Sequence, residues 1–233
     1  MTKVVIFGNF AMDMKNVLYI HGMGGGGDSR IPSILSDELN RRNCSSDSCS
    51  DEIKIIIRTY DFDPEIAHQQ MSGWIDDYRP DLIIGESLGA LHALRIKGLP
   101  HILISPALNA PLYFSVMAWI SILPCMTRLF DRIYRPREGD RQKLHFTSGV
   151  LKKYMPHRIA ALHNSPRSGG KDFFYAFFGT DDHYRKTGVV SLRMWKKYFG
   201  KTYSIYDGTH FMEERHIRTI LADKLIYILK MSE

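Results

Sequence analysis

The sequence predicts an α/β fold: a mostly parallel central sheet with helices on both faces and a helical lid inserted at about residues 110–170. Three observations predict it. Strand-like and helix-like segments alternate along most of the chain, as in a parallel sheet covered by helices. The runs at 81–85 and 101–108 are short and apolar, as strands buried on both faces are. The alternation breaks only at about 110–170, where prolines and three apolar or mixed helical stretches intervene. The 233 residues suit one layered domain carrying that insertion.

The elements follow in order. Residues 3–10 and 16–22 read as two strands, joined by a hairpin-like link at 11–15. Residues 23–30 are a glycine-rich loop. Residues 31–42 have helical periodicity, and Pro32 is tolerated in the first turn. A polar loop at 44–52 leads to a β-branched strand at 53–61. Residues 64–78 form a helix that Pro80 ends. A strand at 81–85, a helix at 88–98 ended by Gly98, and a strand at 101–108 precede the insertion. The pattern resumes with a strand at 172–179, a helix at 189–200, a strand at 202–208 and a long terminal helix at 212–230.

Lysine and arginine number 31 against 25 acids, a formal charge of +6. The excess is densest over residues 128–143. No nucleic-acid motif accompanies it, so nucleic acid is not an expected partner. Cys44, Cys49 and Cys125 make no disulfide framework, and no further Cys or His completes a metal set near the first two. A reduced, cytoplasmic setting without metal or cofactor is expected. The N-terminus lacks the basic start, long apolar core and cleavage site of a signal peptide. The most apolar run, 112–126, is shorter than the roughly 20 residues a membrane span needs, and Pro124 interrupts it. It reads as a buried or lid helix, not a membrane anchor.

Gly85-Glu86-Ser87-Leu88-Gly89 joins the strand at 81–85 to the helix at 88–98. Alone, it also reads, less well, as a capping serine in a glycine turn. In this setting a G-x-S-x-G turn holds its serine in a strained conformation with Oγ above the sheet, and larger residues at Gly85 and Gly89 would crowd the turn. The Leu88 amide opens a helix, where developing negative charge is favoured. Residues 19–27, Tyr-Ile-His-Gly-Met-Gly-Gly-Gly-Gly, offer a second set of amides. Met23, after Gly22, is the candidate second donor to an oxyanion. Gly22, Gly24 and Gly27 also match G-x-G-x-x-G, a dinucleotide-binding pattern, whereas the lysine of a phosphate loop is absent.

A serine nucleophile needs a base, and the base an orienting acid. Asp181 and Asp182 both follow a late strand. His210 stands between the last strand and the last helix. Ser87, Asp182, His210 is the chain order of one class of serine triad. All three follow strands at the end of a parallel sheet where such folds place ligands. His92, His101 and His216 read as structural, and His183 competes only if its loop turns inward. Phe114, Met117, Trp119 and Met126 offer an acyl pocket, although such a stripe is more often core. Glu86 would repel anionic substrates if it faced the cleft.

With these pieces assembled, the chain resembles the α/β-hydrolase superfamily over nearly its whole length. Residues 21–27 are similar to its oxyanion loop, 85–89 to its nucleophile elbow, 179–182 to its acid loop and 207–210 to its histidine loop. The small size and early Tyr-Ile-His-Gly are most similar to the compact YqiA-like bacterial esterases. The resemblance implies that Asp182, three residues after Gly179, orients His210, that His210 takes the Ser87 proton, and that the Met23 and Leu88 amides bind the oxyanion. It implies a serine hydrolase of small carboxylic esters or thioesters that needs no cofactor. Peptidases, carbon–carbon hydrolases and non-catalytic ligand-binding members share the fold.

Overall fold

The structure, a computed structural model, describes residues 14–45 and 52–231. The strand expected at 3–10 and most of the polar loop at 44–52 lie outside these. The elements run β1 (Lys15–Ile20), α1 (Arg30–Ser45), β2 (Ile53–Ile57), α2 (Pro64–Tyr78), β3 (Leu82–Glu86), α3 (Leu88–Ala93) and β4 (His101–Ile104). Then come α4 (Ala110–Ile120), α5 (Met126–Ile133), α6 (Ser148–His163), β5 (Phe174–Gly179), α7 (His183–Thr187), α8 (Leu192–Phe199) and β6 (Tyr203–Tyr206). The terminal helix is α9 (Glu214–His216), a π-helical turn at Ile217–Leu221, and α10 (Ala222–Met231).

Local signals explain the best-defined helix. Asp63 caps α2 by accepting from the Glu65 amide, Pro64 occupies the first turn, and Arg79 closes the helix in the left-handed region (φ 43°) just before Pro80. Other elements are shorter than the sequence pattern suggests. β2 stops at Ile57 because residues beyond it serve other partners: Thr59 takes the Gly27 amide and Asp61 the Asp63 amide. β4 stops at Ile104, where Ser105 has φ 46° and Pro106 offers no ladder donor.

The six strands are ordered β2-β1-β3-β4-β5-β6, and every pairing is parallel. Alternate residues of each strand face opposite layers. Leu18, Ile20, Ile83, Leu103, Ala176 and Phe178 pack with residues of α2, α3, α4, α6 and α8. Val17, Tyr19, Leu82, Ile84, Ile102 and Phe177 pack with α1 and the terminal helix. Both faces are therefore covered, which is why the central strands carry no polar alternation.

The segment at 110–170 is anchored at both ends. Phe114 and Ala118 of α4 and Leu151, Tyr154, Ala161 and Leu162 of α6 are buried in the first of these layers. No residue of α5 is buried. The connection from α5 to α6 lies across the glycine-rich loop. Gln142 is fully buried there, its side-chain oxygen accepting from the Gly24 amide at 3.1 Å while its backbone amide donates to the Gly25 carbonyl at 2.7 Å. Asp140 accepts from the Thr59 hydroxyl at 2.7 Å, and Arg141 pairs with Asp28 at 2.7 Å.

Candidate active site

Ser87 leaves β3 with φ 51° and ψ −114°, a strained conformation for a residue bearing a side chain. Two close approaches keep its flanks free of side chains. A Cβ on Gly89 would lie 2.2 Å from the His21 carbonyl oxygen, and one on Gly85 would lie 2.7 Å from Ala90 Cα. The elbow thus folds tightly between β1 and α3. Gly22 faces it, so that a Cβ there would stand 3.2 Å from Ser87 Cβ.

The acid loop follows β5. Asp182 caps α7, one carboxylate oxygen accepting from the Tyr184 amide at 2.8 Å. The other lies 2.9 Å from His210 Nδ1, and Asp182 and His210 are both almost fully buried. His210 Nε2 in turn lies 2.9 Å from Ser87 Oγ. Asp181 is exposed, and its amide donates to the Gly208 carbonyl. Burial disfavours ionisation of Asp182. The His210 hydrogen bond and charge, with the Tyr184 amide, outweigh it and hold the carboxyl below its ordinary value. An ionised Asp182 keeps the proton on His210 Nδ1, which leaves Nε2 to accept from the serine hydroxyl. The Tyr184 ring packs edge-on to His210, with centroids 4.5 Å apart.

The histidine loop is itself fastened. The Tyr206 hydroxyl donates to the Thr209 carbonyl at 2.8 Å, and the Thr209 amide donates to Glu213 at 3.0 Å. The Thr180 amide ties the acid loop to Tyr206 at 2.9 Å.

In the glycine-rich loop most amides already have protein partners. Gly24 donates to Gln142, Gly25 to the Gly22 carbonyl, Gly26 to Ser29 Oγ and Gly27 to Thr59 Oγ1. Among the described residues the Met23 and Leu88 amides donate to no protein acceptor. A dinucleotide loop at Gly22, Gly24 and Gly27 would need the amides that are spent here, so that alternative loses its donors.

His21 was not singled out in the sequence, yet it shapes this loop. It is buried, stacks on Tyr60 at 4.2 Å, and its Nδ1 lies 2.7 Å from the Gly22 carbonyl. Burial lowers its pKa to about 4, so the ring is neutral. Tyr60 donates to the His21 carbonyl at 2.6 Å. Nothing local in the sequence marks Tyr60 or Gln142, because their partners lie far away along the chain.

Other expectations resolve differently. Glu86 is half-buried, and its carboxylate accepts from the Tyr19 hydroxyl at 2.7 Å. His183 is exposed, whereas His92 and His101 are buried. The structure places the suggested acyl-pocket residues in different surroundings. Phe114 is core, edge-on to Tyr154. Met117 is partly buried against the same core, and Trp119 is 73% exposed. One helix turns these residues to opposite sides, which spacing along an all-apolar stretch does not reveal. A cavity of about 330 Å³ opens beside Asp182, lined by Thr180, Arg185, Gly188, Val190 and Leu192 among others, and none of the three lines it.

The chain has the α/β-hydrolase fold. Solved structures similar to it include Est1E from Butyrivibrio proteoclasticus, at TM-score 0.56 and 15% identity over 94% of this chain and 90% of that one. A putative hydrolase from Agrobacterium vitis S4 gives TM-score 0.57 and 14% identity over 94% and 87%. A structure of the metagenome-derived lipolytic enzymes LipS and LipT gives 0.55 and 10% over 94% of each chain. No protein-family model and no curated protein matches the sequence.

Proposed function

We propose that the protein is a serine hydrolase of carboxylic esters or thioesters, working through an acyl-enzyme. The observation that carries this reading is the continuous contact from Ser87 Oγ to His210 Nε2 and from His210 Nδ1 to Asp182, each 2.9 Å. His210 removes the Ser87 proton as Oγ attacks the acyl carbon. Asp182 stabilises the imidazolium that forms and stays ionised itself. The Met23 and Leu88 amides take the oxyanion, a role for which their lack of protein acceptors leaves them free. His210 then gives its proton to the leaving alcohol or thiol. Water, deprotonated by His210, releases the acid and restores Ser87. The segment at 110–170 serves as a cap over this chemistry, anchored through α4 and α6.

The test is turnover of p-nitrophenyl esters of graded acyl length by the wild type and by Ser87→Ala. Loss of about 10⁴-fold or more in kcat with the fold retained is expected. Unchanged turnover by the variant would rule the mechanism out.

A further inference from the structure

α4 carries no charged residue, and the hydroxyl of its one serine, Ser115, donates back to the Pro111 carbonyl. Its inner residues, Ala110, Pro111, Phe114 and Ala118, are buried. Its outer residues Leu112, Val116, Trp119 and Ile120 are exposed, and Ile122 and Leu123 extend the exposed run into the turn before α5. Trp119 is 73% and Leu123 60% exposed. No charged residue occurs between positions 110 and 127. Exposed apolar residues are normally scattered singly, and a helix apolar all round is normally covered all round. The outer face of α4 breaks both patterns.

The chemistry beside this face is cationic. Arg128, Arg132, Arg135 and Arg137 follow it and are all exposed. None of the four forms an ion pair among the described residues. Asp131, the one acid among residues 126–137, accepts from the Phe146 amide and lies 4.0 Å from His145. The Lys152 ammonium of α6 stands 5.8 Å from the centre of the Trp119 ring.

We propose that this face docks on an anionic lipid surface, with α4 and its following turn in the headgroup region and the arginines on lipid phosphates. Large aliphatic side chains with a tryptophan among them, flanked by unpaired cations, are what an interfacial helix presents. Charge decides between occupants. A second copy would set four unpaired arginines against four more, in a chain of net charge +6. Anionic lipid satisfies the apolar face and the cations together. The chain lies on the surface, since no helix among the described residues is long and apolar enough to cross a membrane.

The experiment is co-sedimentation of the full chain with sucrose-loaded vesicles of phosphatidylcholine, with and without phosphatidylglycerol. Tryptophan emission is recorded in parallel. Binding to the anionic vesicles, weak binding to the neutral ones, and a blue shift that Trp119→Phe removes are expected. Trp195 is buried and Trp74 is partly buried against the core, so the Trp119 signal is read as the difference between wild type and Trp119→Phe. Each Arg→Gln change among the four arginines weakens binding about five-fold, and Val116→Glu with Leu123→Glu abolishes it. Should the double glutamate variant unfold, the arginine series and the Trp119 signal still decide. No vesicle binding, or equal binding to neutral vesicles, overturns the proposal. So does self-association of the protein without vesicle binding, which assigns the face to a second copy.

Discussion

Asp182 and Asp181 are neighbours of identical chemistry in different environments. Asp182 is buried between the Tyr184 amide and His210, whereas Asp181 is exposed. Asp182→Asn therefore lowers kcat by about 10⁴-fold through loss of the productive His210 tautomer, while Asp181→Asn stays near the wild type. Comparable losses in the two variants, measured by ester turnover, would refute this division. Burial also sets the acid stability. It lowers the pKa of His21 and His101 from 6.5 to about 4 and that of His92 to about 3. The unfolded chain then takes up these protons first, so stability is present above the ordinary histidine value and is lost as pH falls from about 6.5 towards 4. The shift on His101 alone is worth on the order of 3 kcal/mol. The urea midpoint should fall steeply across that window, and a flat profile would contradict the buried, neutral assignment.

At the scale of elements, the elbow depends on absent side chains. Gly89→Ala drives a methyl group into the Ile20 and His21 carbonyls and costs about 3 kcal/mol. Gly73→Ala, in the middle of α2 with open space around it, stabilises by about 0.5–1 kcal/mol. Thermal melts of the two variants should move in opposite directions. Gln142→Leu leaves the half-buried Gly24 amide without its acceptor, costing about 1 kcal/mol. By freeing the glycine-rich loop it should lower kcat more than it raises KM, whereas wild-type kinetics would detach this contact from the site. The bounds of α2 were legible because Pro64 and Pro80 punctuate it locally. The ends of β2 and β4 were not, since Thr59 is held by the glycine-rich loop and by Asp140, and Ser105, whose amide still reaches Phe177, turns at φ 46° before Pro106. Gln142 was illegible for the same cause: its partner Gly24 lies 118 residues away.

For the whole molecule, the order of strands explains the site. Parallel strands all carry their carboxyl ends to one edge, so loops after β1, β3, β5 and β6 meet there despite wide separation in sequence. That convergence was legible because the motifs at 85–89, 179–182 and 207–210 each follow a strand. The two faces of α4 were not legible, since an apolar helix gives no pattern to separate its core side from its outer side. The central claim concerns one oxygen atom, Ser87 Oγ. Intact-mass and peptide mapping after treatment with a fluorophosphonate tests it most directly. The account predicts a single adduct on Ser87 and none on folded Ser87→Ala. An unlabelled wild type, or a variant labelled as readily as the wild type, would contradict it.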